Sequence, residues 1–170
     1  MKESGKVLYI NACARGNSRT DKLARTVLSD IGCEYVERKL YDMELSPLTE
    51  EKLLKRTELI EKGLFSDDMF VLSREFADAD IIVIAAPFWD LSFPAILKLY
   101  IENIYITGIV SEYTENGVPH GLCKAKKLYY VTTAGGPYNP DFSYGYIKSL
   151  VTDYFGIKET ELVMQDMLDV

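Results

Sequence analysis

The chain has 170 residues, 48% hydrophobic and 26% charged, with a formal net charge of −7, one histidine and three cysteines. That length suits one domain over residues 1–170, no apolar run approaches the ~20 residues of a membrane span, and the acidic balance disfavours nucleic acid, whose binding needs a basic surface. Cys13, Cys33 and Cys123 are widely spaced and no CxxC pair is present, so neither a disulfide framework nor a metal site is suggested, and three reduced thiols are expected.

The opening MKESGKVLYI runs straight into a strand-like segment without a signal region, so a cytoplasmic protein is expected. Residues 6–11, KVLYIN, read as the first strand. Residues 18–31 read as a helix with Leu23, Ala24, Val27, Leu28 and Ile31 on one face, and Gly32 fits the left-handed stop after it. Residues 34–40 alternate less cleanly with charge, as an edge strand would. The polar stretch 46–79 carries two helix starts. Thr49 precedes Glu50 and Glu51, where the helix dipole favours acids, and Gly63 ends that helix; Ser66, Asp67 and Asp68 then open a second one through Phe70, Leu72 and Phe76.

Residues 81–86 are apolar without alternation, as expected of a parallel strand covered on both faces. Pro87 ends that strand, Phe88, Trp89, Asp90 and Leu91 form a short aromatic connection, and Pro94 suits the first position of a helix over 94–106. The glycines, Pro119 and charges of 108–126 make a surface excursion. Residues 127–133, KLYYVTT, form a fourth strand stopped by Gly135, Gly136 and Pro137; 144–155 form a helix with Gly156 past its end; 161–164 form a fifth strand. Strands alternating with helices imply a parallel sheet with right-handed crossovers. The chain stops a few residues after its fifth strand, with no room for a final helix, so either the polypeptide is shortened or something else covers that side of the sheet.

Open α/β sheets bind ligands beyond the carboxyl ends of their strands, which directs attention to three loops. In NACARGNSRTDKLA, Ser18 and Thr20 stand at a helix start beside Arg15 and Arg19, where unpaired N–H groups and the dipole favour a phosphate. The same residues also describe an ordinary cap with solvated arginines. The loop is neither GxGxxG nor GxxxxGK[ST]. In TTAGGPYN, Gly135 and Gly136 let a backbone approach a flat ligand, or simply turn tightly. With Phe88 to Leu91, these loops converge on one sheet edge, one suited to phosphate and two to a planar aromatic ring. His120, the single histidine, lies in a Gly/Pro-rich loop, and no GxSxG motif accompanies it.

The stretch IIVIAAPFWDLSFPAILKLYIENI, the YTENG at 113–117, the TTAGG after the fourth strand and the SRT at 18–20 resemble the flavodoxin-like NAD(P)H-dependent FMN oxidoreductases, in particular the FMN-dependent azoreductase and quinone reductase branch. The likeness spans nearly the whole chain. It implies a flavodoxin-like, three-layer α/β fold with a doubly wound, five-stranded parallel sheet, here without the family's last helix. It also implies FMN as cofactor, NADH or NADPH as donor, and ping-pong reduction of quinones or azo and nitro aromatics, with hydride passing through flavin N5 and no catalytic side chain. By the same resemblance Ser18, Arg19 and Thr20 hold the phosphate. Pro87, Phe88, Trp89, Asp90 and Leu91 run beside the isoalloxazine and ribityl chain, while Thr133, Ala134, Gly135 and Gly136 contact the pyrimidine edge. Phe88, Trp89, Tyr113 and Tyr138 wall the substrate pocket of a homodimer, with Tyr113 contributed by its own or the partner subunit. Four positions depart from the family pattern: Ala12 for a serine, Asp90 for an asparagine, Ala134 for an arginine or glycine, and Ser111 for a bulkier aromatic residue. A flavodoxin-type electron carrier, or a flavin-binding protein without turnover, is the alternative. The long 42–79 and 108–126 connections, which supply dimer and pocket material, favour the enzyme.

Overall fold

A computed structural model describes residues 5–170. Strands β1 (Val7–Asn11), β2 (Tyr35–Lys39), β3 (Ile81–Ala85), β6 (Lys127–Thr133) and β7 (Glu159–Gln165) form one sheet in the order β2-β1-β3-β6-β7. Every neighbouring pair is parallel. This is the flavodoxin-like strand order, 2-1-3-4-5 among the five main strands. A separate antiparallel pair, β4 (Ser111–Tyr113) and β5 (Pro119–Gly121), lies in the connection between β3 and β6.

Pleating sends alternate residues of each strand to opposite faces, and both faces are apolar. On one face Leu8, Ile10, Ile82, Ile84, Leu128 and Tyr130 pack against α3 (Val71–Asp78), α4 (Ala95–Ile104) and α5 (Tyr144–Ser149), through Phe76, Leu97, Tyr100, Ile104 and Ile147. On the other, Val7, Tyr9, Val83, Ala85 and Val131 pack against Ala24, Val27 and Leu28 of α1 (Arg19–Ile31). That two-sided burial explains the unbroken apolar runs of β1 and β3. Strand β2 lies at the sheet edge, where Tyr35 and Val36 are exposed, which accounts for its mixed sequence. Beside α1, a groove of about 380 Å³ lies over Leu23, Ile31, Tyr129 and Val163 on the β7 side of the sheet.

The helix caps follow the sequence signals. Thr49 caps α2 (Glu50–Glu61) by accepting a hydrogen bond from Lys52 N, and Asp67 accepts one from Met69 N at the short 3-10 turn Asp68–Phe70 that leads into α3. Boundaries differ from the sequence reading at several elements, α4 ending at Ile104 among them. Pro94 is the residue preceding the first turn of α4, with extended backbone (ψ 141°), and not its first helical position. The helix expected over 144–155 is α-helical only to Ser149 and finishes as a π-helical turn, Leu150–Tyr154. Strand β7 starts at Glu159, two residues early, because its pairing with β6 runs from Lys127↔Glu159 to Thr133↔Gln165, while its exposed edge tolerates polar residues. The 108–126 excursion contains the β4–β5 hairpin, and Gly121 seats it against the main body: a Cβ there would stand 2.1 Å from the backbone of Phe155 and Gly156.

Candidate active site

The loops after β1, β3 and β6 meet at the carboxyl edge, beside the point where the chain winds in opposite directions from β1. Their first residues extend the strand pairing. Ala12 N donates to Ala85 O (2.8 Å), Ala86 N to Val131 O (3.0 Å) and Phe88 N to Thr133 O (3.1 Å), so all three loops leave the sheet from fixed positions. Between them lies a cavity of about 500 Å³, within the usual ~300–1,000 Å³ of small-molecule sites. A depression of similar size at the opposite edge, near Lys6, Tyr35 and Asp78, lies away from the strand ends where parallel sheets place ligands.

The floor of the cavity is the start of α1. Ser18 caps it, its hydroxyl accepting from Asp21 N at 3.3 Å, and Arg15, Asn17 and Arg19 line the cavity around it. A hydrogen-bonded cluster fixes this helix end to the sheet. Asp21 accepts from the Tyr9 hydroxyl (2.6 Å) and Asn11 Nδ2 (3.2 Å), while Arg25 bridges Asp21 and Glu37. Burial, followed by the hydrogen bond to Asp21, holds the Tyr9 phenol far above its ordinary range, so it stays a neutral donor. Thr20 is 1% exposed, and its Oγ1 lies 2.7 Å from Thr133 Oγ1, tying the first turn of α1 to the end of β6. The Thr20 hydroxyl is therefore already engaged within the protein.

Pro87, Phe88 and Trp89 form one side of the cavity. The Phe88 ring meets Tyr138 edge to face at 4.9 Å between centroids, and the Tyr138 hydroxyl lies 2.9 Å from Ser143 Oγ. Beyond Trp89 the chain reverses in four residues. Trp89 and Ser92 exchange both backbone hydrogen bonds (3.0 and 2.8 Å), with Asp90 at φ 49° and Leu91 at φ 65° between them. This turn needs left-handed backbone at both central positions, a geometry that suits aspartate better than leucine. It carries Asp90 and Leu91 to an exposed tip, so neither lines the cavity in which the resemblance places them. Tyr113 on β4 and Tyr138 are also absent from the lining, although Tyr138 backs Phe88.

From the loop after β6, Thr133 and Gly135 line the cavity; Ala134 and Gly136 do not. Ala134 is buried, and its N–H donates to Gln165 O. Ala14, Asn17 and Asp169 line the cavity without having been singled out in the sequence. Asn17 adjoins the SRT segment and was within reach of that signal. Asp169 was not, because it reaches the cavity from far along the chain: Arg19 Nη1 donates to its Oδ1 at 2.8 Å. The Arg19 hydrogen bond and charge, with a smaller contribution from Arg15, hold the Asp169 carboxyl below its ordinary range.

The family model described as "Flavodoxin-like fold" matches residues 5–168. The chain belongs to this family. Among its flavodoxin-like relatives is an FMN-dependent NADH:quinone oxidoreductase 2 of Clostridium acetobutylicum, 36% identical, with 97% of this chain and 88% of that protein aligned. An FMN-dependent NADH:quinone oxidoreductase of Clostridium perfringens is 35% identical over 97% of this chain and 87% of its own length. The crystal structure of an azoreductase from Bacillus anthracis superposes with a TM-score of 0.82 at 26% identity, covering 97% of this chain and 88% of that one.

The cavity suits the cofactor named for those relatives. It joins an anion-favouring helix start, with Arg15 and Arg19 beside it, to an aromatic wall and to Gly135. One carboxylate, that of Asp169, stands within it.

Proposed function

We propose that this protein is an FMN-dependent oxidoreductase that uses NADH to reduce quinones and azo or nitro aromatic compounds. The observation that carries this reading is that the α1 start, with Arg15 and Arg19, and the Phe88–Trp89 wall face one cavity at the carboxyl edge. They do so in a chain 36% identical to a quinone oxidoreductase. When bound, FMN supplies hydride acceptance and return at N5.

The protein's part is to bind, orient and exclude water. Ser18, the free N–H groups of the first α1 turn, Arg15 and Arg19 hold the phosphate through charge-assisted hydrogen bonds. The Thr20–Thr133 pair keeps that helix start in register with β6, which makes Thr20 a positioning residue more than a direct phosphate ligand. Pro87, Phe88 and Trp89 border the ring, with Tyr138 bracing Phe88. Gly135, which has no Cβ, borders the cavity on the side assigned to the pyrimidine edge. Asp90 sits at an exposed turn tip, outside the lining of the cavity. No side chain is required as nucleophile or general base.

Trp89, Leu91, Tyr113 and Phe142 are 40–61% exposed, and Ser92 Oγ donates to Phe142 O at 2.7 Å, which joins the turn to the loop bearing Phe142. These exposed apolar groups support a homodimer whose second subunit completes the acceptor pocket, with Tyr113 as a wall residue across the boundary. We place the protein in the cytoplasm, where three reduced thiols are ordinary.

Steady-state consumption of NADH with menadione as acceptor tests the reading. Turnover that requires added FMN is expected. A protein that binds FMN but oxidises no NADH with menadione would be a carrier or a flavin store.

A further inference from the structure

After β7 the chain turns back across the loop that follows β6. Met167 N donates to Gly136 O (3.1 Å), Leu168 N to Ala134 O (3.3 Å) and Asp169 N to Gly135 O (3.0 Å). Asp166 Oδ2 accepts from Tyr138 N at 3.2 Å, which anchors the start of the segment beside the aromatic wall. These bonds lay the 166–170 segment along the cavity rim and aim Asp169 inward. Its Oδ1 sits on Arg19, which also donates to Leu168 O at 3.3 Å, and its Oδ2 would lie 2.1 Å from a Cβ on Gly135.

One carboxylate thus occupies two places at once. It satisfies a guanidinium assigned to the phosphate, and it fills the space over the glycine assigned to the ring edge. Arg19 Nη1 cannot give the same hydrogen bond to both anions, and a carboxylate left beside a phosphate would repel it. We propose that the 166–170 segment is an internal strap in which Asp169 mimics the cofactor phosphate, so that FMN loads by displacing Asp169 from Arg19.

The hold is built to be broken. Arg19 and Asp169 are 49% and 65% exposed at their side chains, and exposed ion pairs contribute little. Met167 takes φ 56°, a left-handed conformation unfavourable for an unbranched hydrophobic residue, and release of the strap relieves it. The competing geometry is that Asp169 stays in place and orients Arg19 toward the phosphate. In that case removing its charge weakens FMN binding.

The inference rests on the phosphate lying at Ser18 and Arg19, so the test separates the two. FMN and riboflavin are titrated by fluorescence quenching into the flavin-free 170-residue protein as wild type, as Asp169→Asn, and as Ser18→Ala. Amide hydrogen exchange of Met167, Leu168 and Asp169 is followed with and without saturating FMN. The strap predicts that Asp169→Asn tightens FMN about fivefold, near the upper reach of an exposed ion pair, and riboflavin by less. It also predicts that the three amides lose protection when FMN binds. Unchanged or weaker FMN binding by Asp169→Asn, or amides that gain protection with FMN, overturns it. If Ser18→Ala reduces the preference for FMN over riboflavin while Asp169→Asn changes nothing, the phosphate placement stands and the strap alone falls. If Ser18→Ala leaves that preference intact, the placement falls and the strap with it.

Discussion

Replacing Thr133 by valine keeps the shape of the side chain and removes one hydroxyl of the pair that joins α1 to β6. The partner Oγ1 of Thr20 lies 2.7 Å away on a residue 1% exposed, and Thr133 itself is 7% exposed, so the hydroxyl left behind is largely shielded, although both residues border the cavity on one side. Losing such a bond costs about 1 kcal/mol, and leaving the other hydroxyl buried and unpaired costs about 1–3 kcal/mol. The added methyl returns part of this, up to about 0.8 kcal/mol. The net expectation is a destabilisation of about 2 kcal/mol for Thr133→Val and a similar loss for Thr20→Val. In the double variant neither hydroxyl remains to be stranded and two methyls are added, so its cost should fall below that of either single change, a coupling of at least about 2 kcal/mol. Urea unfolding of the four proteins measures this, with an unchanged slope in denaturant showing that the transition itself is the same. Single variants each within about 0.5 kcal/mol of wild type, with additive effects, would refute the claim that this pair fixes the helix start.

Leu91→Gly should raise the melting temperature by about 1–2 °C, because relief of the left-handed leucine, about 1–2 kcal/mol, exceeds the ~0.5–1 kcal/mol entropic cost of glycine; a clear fall in calorimetry would show that the Leu91 side chain packs against something stabilising. Burial raises the Cys13 thiol to about 11 and the Cys123 thiol to about 12, so at pH 8 each is overwhelmingly protonated. By thiolate fraction, Cys13 should alkylate about two and Cys123 about three orders of magnitude more slowly than free cysteine, and both faster with rising pH until those values are passed; labelling of either at the free-cysteine rate contradicts that burial. Sedimentation at micromolar concentration should give twice the 19.3 kDa chain mass, and a fully active, flavin-loaded monomer would defeat the shared pocket.

Much of the fold was legible because burial on both faces writes itself plainly: VLYI and IIVIAA admit no polar interruption, and the capping signals at Ser18 and Thr49 mark real helix starts. The three-residue strands β4 and β5 were not legible, since three residues are too few to show alternation, and they read only as glycine-rich surface. For the same physical reason β7 looked shorter than it is: an edge strand can carry Glu159 and Thr160 without losing its hydrogen bonds to β6. In the site, Ser18, Arg19, Thr20, Phe88, Trp89 and Gly135 could be named because each loop follows a recognisable strand. The reversal at Asp90 and Leu91 was hidden, because leucine carries no turn signal. Asp169 was hidden more deeply, since its partner Arg19 lies 150 residues away and no local pattern encodes the fold-back that joins them.

The most direct measurement separates the two half-reactions of the FMN-loaded protein in the absence of oxygen. NADH alone should bleach the visible flavin band with one equivalent per bound FMN, and menadione added afterwards should restore it, at rates no slower than steady-state turnover. A band that NADH leaves unchanged, or one that bleaches but does not return with menadione or an azo dye, would contradict the assignment of this chain as an NADH-dependent reductase.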